Sequence, residues 1–150
     1  MSRSTFVYVI YIRTTPEKLW SALTDVEIMK QWWFGVRCES QWTAGSSWKL
    51  VYPDGRNSDA GEIAEADPPR RLVIRWQHRD KPELRAEGES QCTMELASSG
   101  PAVRLSLTHT IEREPSKFIE AVSRAWPMAI SNLKSLLETG STVLQAPYPS

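Results

Sequence analysis

The chain has 150 residues, and Lys plus Arg and Asp plus Glu each number 18, so the formal net charge is zero. That length favours one domain with a core large enough to stand without disulfide staples. Charge balance argues against the global field that draws in nucleic acid or an anionic membrane surface.

Thr5 to Ile12 is rich in β-branched and aromatic residues and reads as a strand. It is apolar on both faces, so a central position, or cover on both sides, is expected. Thr15 and Pro16 form an N-cap and first-turn pair for a helix running to Leu23, with Leu19, Trp20 and Leu23 facing inward. Asp25 suits the cap of a second short helix, Val26 to Trp32 or Trp33. Strands then follow in series. Val36 to Thr43 is the first, and Ser46 to Tyr52 places Trp48, Leu50 and Tyr52 on one face. Pro53-Asp54-Gly55 is a hairpin turn, and Gly61 to Ala66 a weaker strand. Arg71 to Gln77 puts Leu72, Ile74 and Trp76 in phase, before an exposed charged turn from His78 to Pro82. Arg85 to Ala97 carries Cys92, Met94 and Leu96 in phase, and Ala102 to Thr110 carries Val103, Leu105, Leu107 and His109.

Ser116 to Thr139 has apolar residues at Phe118, Val122, Ala125, Ala129, Leu133 and Leu136, the period of an α-helix with one buried face. Ser116 is a fitting N-cap and Gly140 a fitting stop. Pro127 lies inside this helix, where it removes a hydrogen bond to Ser123 and costs ~3 kcal/mol. The bend either follows a curved sheet or opens space beneath Trp126. Serial strands joined by tight turns imply an antiparallel sheet, so the class is α+β with helices on one face. Residues 1–140 are expected to form the domain and 141–150 a flexible tail.

The chain is similar to the activator-of-Hsp90-ATPase-homologue-like branch of the START/Bet v 1 superfamily. The resemblance spans Phe6 to Glu138. It rests on Thr15 to Asp25 (TPEKLWSALTD), Gln31-Trp32-Trp33, Gly61-Glu62-Ile63, Asp67 to Leu72 (DPPRRL) and Arg75-Trp76. Leu105 to His109 (LSLTH), Trp126-Pro127 and Asn132 to Glu138 (NLKSLLE) complete it. The resemblance implies a helix-grip: a curved antiparallel sheet of about six to seven strands clasping the long C-terminal helix. A cavity would lie between them and take a hydrophobic small molecule, a lipid or an aromatic. Some relatives use that cavity for cyclase-type catalysis, whereas the namesake binds a chaperone. The chain resembles only one domain of the namesake, which ranks chaperone binding below ligand binding.

Seven tryptophans are many for this length and serve either thick packing or the walls of a cavity. Trp33, Trp48, Tyr52, Trp76, Met94, His109, Trp126 and Ile130 are the expected lining residues. His109 shares the inward face, either as a hydrogen-bonded core histidine or as a polar anchor for a ligand. As an acid or base it would need a titratable neighbour, and no carboxylate is evidently in phase with it, so no catalytic residue is assigned. No phosphate loop, HExxH, CxxC or GxSxG occurs. Cys38 and Cys92 match no metal or redox spacing and read as buried thiols of a cytoplasmic protein. No cofactor, metal or nucleic-acid partner is expected. The N-terminus lacks a signal-peptide core and no apolar run approaches ~20 residues, so no membrane span is expected either. Trp42 or the loop at Trp33 and Phe34 is where an exposed apolar patch for a homodimer or another protein partner would lie.

Overall fold

The computed structural model describes residues 2–145. Strand β1 (Ser4–Ile12) leads into helices α1 (Pro16–Thr24) and α2 (Val26–Trp32). Strands β2 (Arg37–Ser40), β3 (Ser47–Val51), β4 (Asn57–Asp67) and β5 (Arg71–His78) follow, then a short helix α3 (Pro82–Arg85). Strands β6 (Glu89–Ser99) and β7 (Ala102–Ile111) precede the long helix α4 (Lys117–Thr139). Seven strands form one antiparallel sheet in the order β1-β7-β6-β5-β4-β3-β2.

The caps place the helices. The Thr15 hydroxyl accepts the Lys18 N–H, and the Asp25 carboxylate accepts the N–H groups of Glu27 and Ile28. These bonds satisfy donors that a helix start leaves orphaned. Ser116 Oγ accepts the Ile119 N–H at 3.0 Å, and Gly140 closes α4 with a left-handed φ of 88°. A third group joins them from the loop before β6. The Glu87 carboxylate accepts from Ser116 Oγ at 2.6 Å and from the N–H groups of Lys117 and Phe118 at 2.8 and 3.3 Å. Burial alone would raise its pKa, yet these donors hold it below the usual carboxylate value.

The register sets which side chains meet. Inward residues of β7 (Val103, Leu105, Leu107, His109), β6 (Cys92, Met94, Leu96) and β5 (Leu72, Ile74, Trp76) are all buried, together with Ala129, Ile130 and Leu133 of α4. Within α4 the apolar stripe is not uniformly covered. Ala125 is exposed, and Val122 and Leu136 are half-buried. Ala125 and Val122 fall in the half of the helix that stands over open space rather than against the sheet.

Four expectations are corrected. Arg85, expected to open a strand, ends α3, and β6 begins only at Glu89. β1 is an edge strand, paired only with β7, and its outer face leaves Val7, Val9 and Tyr11 at least half exposed. Two apolar faces marked cover on both sides only as a tendency, and strand order decided otherwise. The strand expected from Gly61 begins at Asn57, because Asn57-Ser58-Asp59 continues the ladder with β3 and β5. His78 is not an exposed turn residue but ends β5 in phase with Trp76, its side chain only 12% exposed. In the described part of the tail, the Asn132 side chain bonds the backbone of Val143 and Leu144. Residues 146–150 of the expected tail lie outside the described residues.

Candidate functional site

A cavity of about 500 Å3 lies between the N-terminal half of α4 and strands β3 to β5. Its apolar wall includes Trp33, Phe34, Leu50, Phe118, Val122 and Trp126. Its polar wall holds Arg56, Asp59, His78, Asp80, Lys81 and Arg124, with Tyr52 between the two. The short α3 and the chain before it supply one lip through Asp80, Lys81 and Leu84, and exposed Arg124 and Ala125 of α4 supply the other.

Tryptophans build the floor. Rings pack in a run from Trp32 to Trp33 (5.1 Å between centroids), Trp33 to Trp126 (5.1 Å), Trp126 to Trp76 (5.9 Å) and Trp76 to Trp48 (4.4 Å). Packing and wall are therefore the same residues: Trp33, Trp76 and Trp126 are packed on one side and line the cavity on the other. Gly61 makes the closest pair possible. The ladder sets Gly61 between Trp48 and Trp76, and no side chain intervenes where the two indoles meet.

Of the expected lining residues, Trp33, Tyr52, Trp76 and Trp126 come together on this cavity. Trp48 and Met94 instead line a separate void of about 10 Å3. That space holds one water molecule at most. His109 and Ile130 are fully buried and line neither space.

His109 is explained by its bonds. Trp126 Nε1–H can only donate, so it fixes His109 Nδ1 as an acceptor at 3.2 Å. The proton then sits on Nε2 and is donated to Ser90 Oγ at 2.9 Å, and Ser90 donates onward to the Trp76 carbonyl at 3.1 Å. Both ring nitrogens are committed. Burial pushes the imidazole pKa down to about 3, with the negative charge of Asp59 opposing the shift, so the ring is neutral at physiological pH.

Sequence reasoning missed the polar centre of the site, Asp59. It is buried and its two oxygens accept three bonds: Ser58 Oγ–H on Oδ1, and Trp76 Nε1–H (2.7 Å) and His78 Nδ1–H (2.9 Å) on Oδ2. His78 Nε2 in turn accepts the Lys81 N–H at 3.1 Å, which fixes the proton on Nδ1. This anchors the lip to the strand. Tyr52 has its phenol pKa raised by burial first and by Asp59 second, so it stays a neutral hydroxyl. Arg56 stacks over the Tyr52 ring at 4.6 Å and pairs with Asp80 at 3.5 Å.

An antiparallel sheet that grips a long C-terminal helix, with a cavity under that helix, defines a START/Bet v 1-like helix-grip protein. The family model for the "Activator of Hsp90 ATPase homolog 1-like protein" matches residues 13–138, and the chain belongs to that family. Among solved structures, CalU16 from Micromonospora echinospora is similar over 91% of this chain and 77% of its own, at 21% identity and a TM-score of 0.73. The Aha1 dimer from Colwellia psychrerythraea matches over 91% of this chain and 98% of its own, at 23% identity and a TM-score of 0.73. PFC0360w, described as an HSP90 activator from Plasmodium falciparum, matches over 89% and 95%, at 25% identity and a TM-score of 0.71. A comparison with curated proteins found no match. Among the described residues no helix is long and apolar enough to cross a membrane.

Proposed function

We propose that this protein binds a small, largely hydrophobic molecule, aromatic or lipid-like, in the cavity beneath the N-terminal half of α4. One observation carries the reading: a space of about 500 Å3 walled on one side by Trp33, Phe34, Phe118 and Trp126 and on the other by polar groups that include the hydrogen-bonded pair Asp59 and His78. Small-molecule sites typically measure ~300–1,000 Å3 and combine apolar walls with a few placed polar groups. Burying ~250 Å2 of apolar ligand surface would contribute ~6 kcal/mol. Immobilising the ligand opposes this, so affinities nearer millimolar than micromolar are expected.

A cyclase- or dehydratase-type reaction in the same cavity would need an acid–base group with a free ring nitrogen or oxygen at the wall. His109 lies behind the wall with both nitrogens bonded, and His78, although on the wall, has Nε2 held by Lys81. Neither histidine is therefore available as that group. Self-association, stated for one structural neighbour, and chaperone activation, stated for another, would instead call on an exposed apolar patch. Trp33, Phe34 and Trp42, where the sequence would place that patch, are half-buried, and β1 exposes Val7, Val9 and Tyr11.

Because Trp33, Trp76 and Trp126 line the cavity, tryptophan emission should report its filling. Titration with a panel of aromatic and aliphatic compounds should give a saturable change with at least one of them. A flat response across the panel, with no compound raising the unfolding midpoint, would remove the proposal.

A further inference from the structure

The charges on the cavity wall narrow the ligand class, an inference that rests on the binding reading above. Five lining side chains carry formal charge: Arg56, Lys81 and Arg124 are cationic, Asp59 and Asp80 anionic, giving a balance of +1 with His78 neutral. Four of the interactions that could satisfy them are already made inside the wall. Asp59 is occupied by Ser58, Trp76 and His78, and Asp80 is paired with Arg56. Among the described residues, the Lys81 ammonium and the Arg124 guanidinium have no acceptor. Both groups are donors only.

We propose that the ligand is an anionic amphiphile: a carboxylate-type head held between Lys81 and Arg124, and an apolar tail running inward over Phe118, Trp126 and Trp33. The two cations line the same cavity from different elements, Lys81 on the chain leading into α3 and Arg124 on α4 beside exposed Ala125. A head at the mouth keeps its charge close to water while the tail occupies the tryptophan-floored interior. A neutral head of the same size at the mouth would gain nothing from the two cations, which would stay solvated by water alone. A carboxylate there adds charge-assisted hydrogen bonds to them. A cationic head would meet like charge on both lips. The lip at Lys81 is also a fixed one, because its backbone N–H is bonded to His78, itself locked to Asp59. The carboxylate of Asp59 does not repel the tail's passage, since both its oxygens are turned into hydrogen bonds within the wall.

The test uses three probes with one tail and different heads: decanoate, decan-1-ol and decyltrimethylammonium, each titrated at low ionic strength and neutral pH against tryptophan emission. Decanoate should bind about 5- to 10-fold tighter than the alcohol, the modest gain expected of two exposed cations. That advantage should shrink as salt is added. In the Lys81→Gln/Arg124→Gln double variant, whose positions are exposed, the ratio of decanoate to decanol affinity should fall to about one. Equal binding of decanoate and the alcohol by the unaltered protein, or tighter binding of the ammonium, overturns the head-charge assignment and leaves the binding cavity standing. A decanoate preference that survives in the double variant overturns the assignment to these two cations. Absence of binding by all three, under conditions where the protein is folded, overturns both readings.

Discussion

Replacing Gly61 by alanine is expected to lower the stability of the protein by about 3 kcal/mol or more, at the upper end for overpacking by a single methyl. A Cβ at this position would stand 1.8 Å from the Arg75 carbonyl oxygen and 2.8 Å from its carbon. The obstruction is backbone of the adjacent strand, so no rotamer change relieves it. β4 would have to withdraw from β5. The same withdrawal would part Trp48 from Trp76, whose ring centroids lie 4.4 Å apart across this glycine, and would stretch the Trp76 bond to Asp59. One methyl thus acts on the ladder, on the cavity floor and on the buried carboxylate together. Urea unfolding of Gly61→Ala beside the unaltered protein measures the loss. A change below about 1 kcal/mol would show that β4 yields easily and that the close approach is not a requirement.

The second large effect is acid sensitivity from His109. In the folded protein burial depresses its pKa to about 3, whereas in the unfolded chain it returns to about 6.5. Between those values the unfolded chain binds a proton that the folded protein refuses. Stability from this group is therefore complete above about pH 6.5 and is lost as pH falls, at ~1.4 kcal/mol per pH unit, down to about pH 3. Between pH 7 and 5 the loss should be ~2 kcal/mol. Carboxylates with lowered values, Glu39, Glu87 and Glu138, add their own losses below their ordinary value of 4.5, in a more acidic window. His109→Gln should cost stability at pH 7 by disturbing the bonds to Ser90 and Trp126, yet flatten the pH 7 to 5 slope relative to the parent. Identical slopes in the two proteins would mean that His109 is protonated without penalty and is not the sealed core residue described above.

Much of the architecture can be read from the chain, and the reasons are local. The bounds of α4 follow from a 3.6-residue apolar period closed by Ser116 and Gly140, and α1 and α2 follow from Thr15, Pro16 and Asp25. Hydrophobic alternation marks β5 and β7 because each buries one face. The polar half of the cavity is harder to read. Asn57-Ser58-Asp59 follows Pro53-Asp54-Gly55 and looks like more of the same loop, so the buried carboxylate escapes notice. A signal exists in the phase: Asp59 is two residues before Gly61 and four before Ile63, and His78 is two after Trp76. Extending each strand by one pair would have faced Asp59 with His78, which the register does. Which strand lies at the edge is set by chain closure over long sequence distance, and no composition rule for β1 specifies it. Glu87 reaches the start of α4 from 29 residues away, a contact that local capping patterns do not contain.

Where an apolar tail comes to rest decides whether the cavity under α4 is the binding site. The most direct measurement is a crystal structure of the protein grown with 10-bromodecanoate, with the bromine located by its anomalous signal. The peak should fall under the N-terminal half of α4, among Phe118, Trp126 and Trp33. A peak on the outer face of β1 beside Val7 and Val9, or an empty interior in crystals that diffract well, would contradict that assignment.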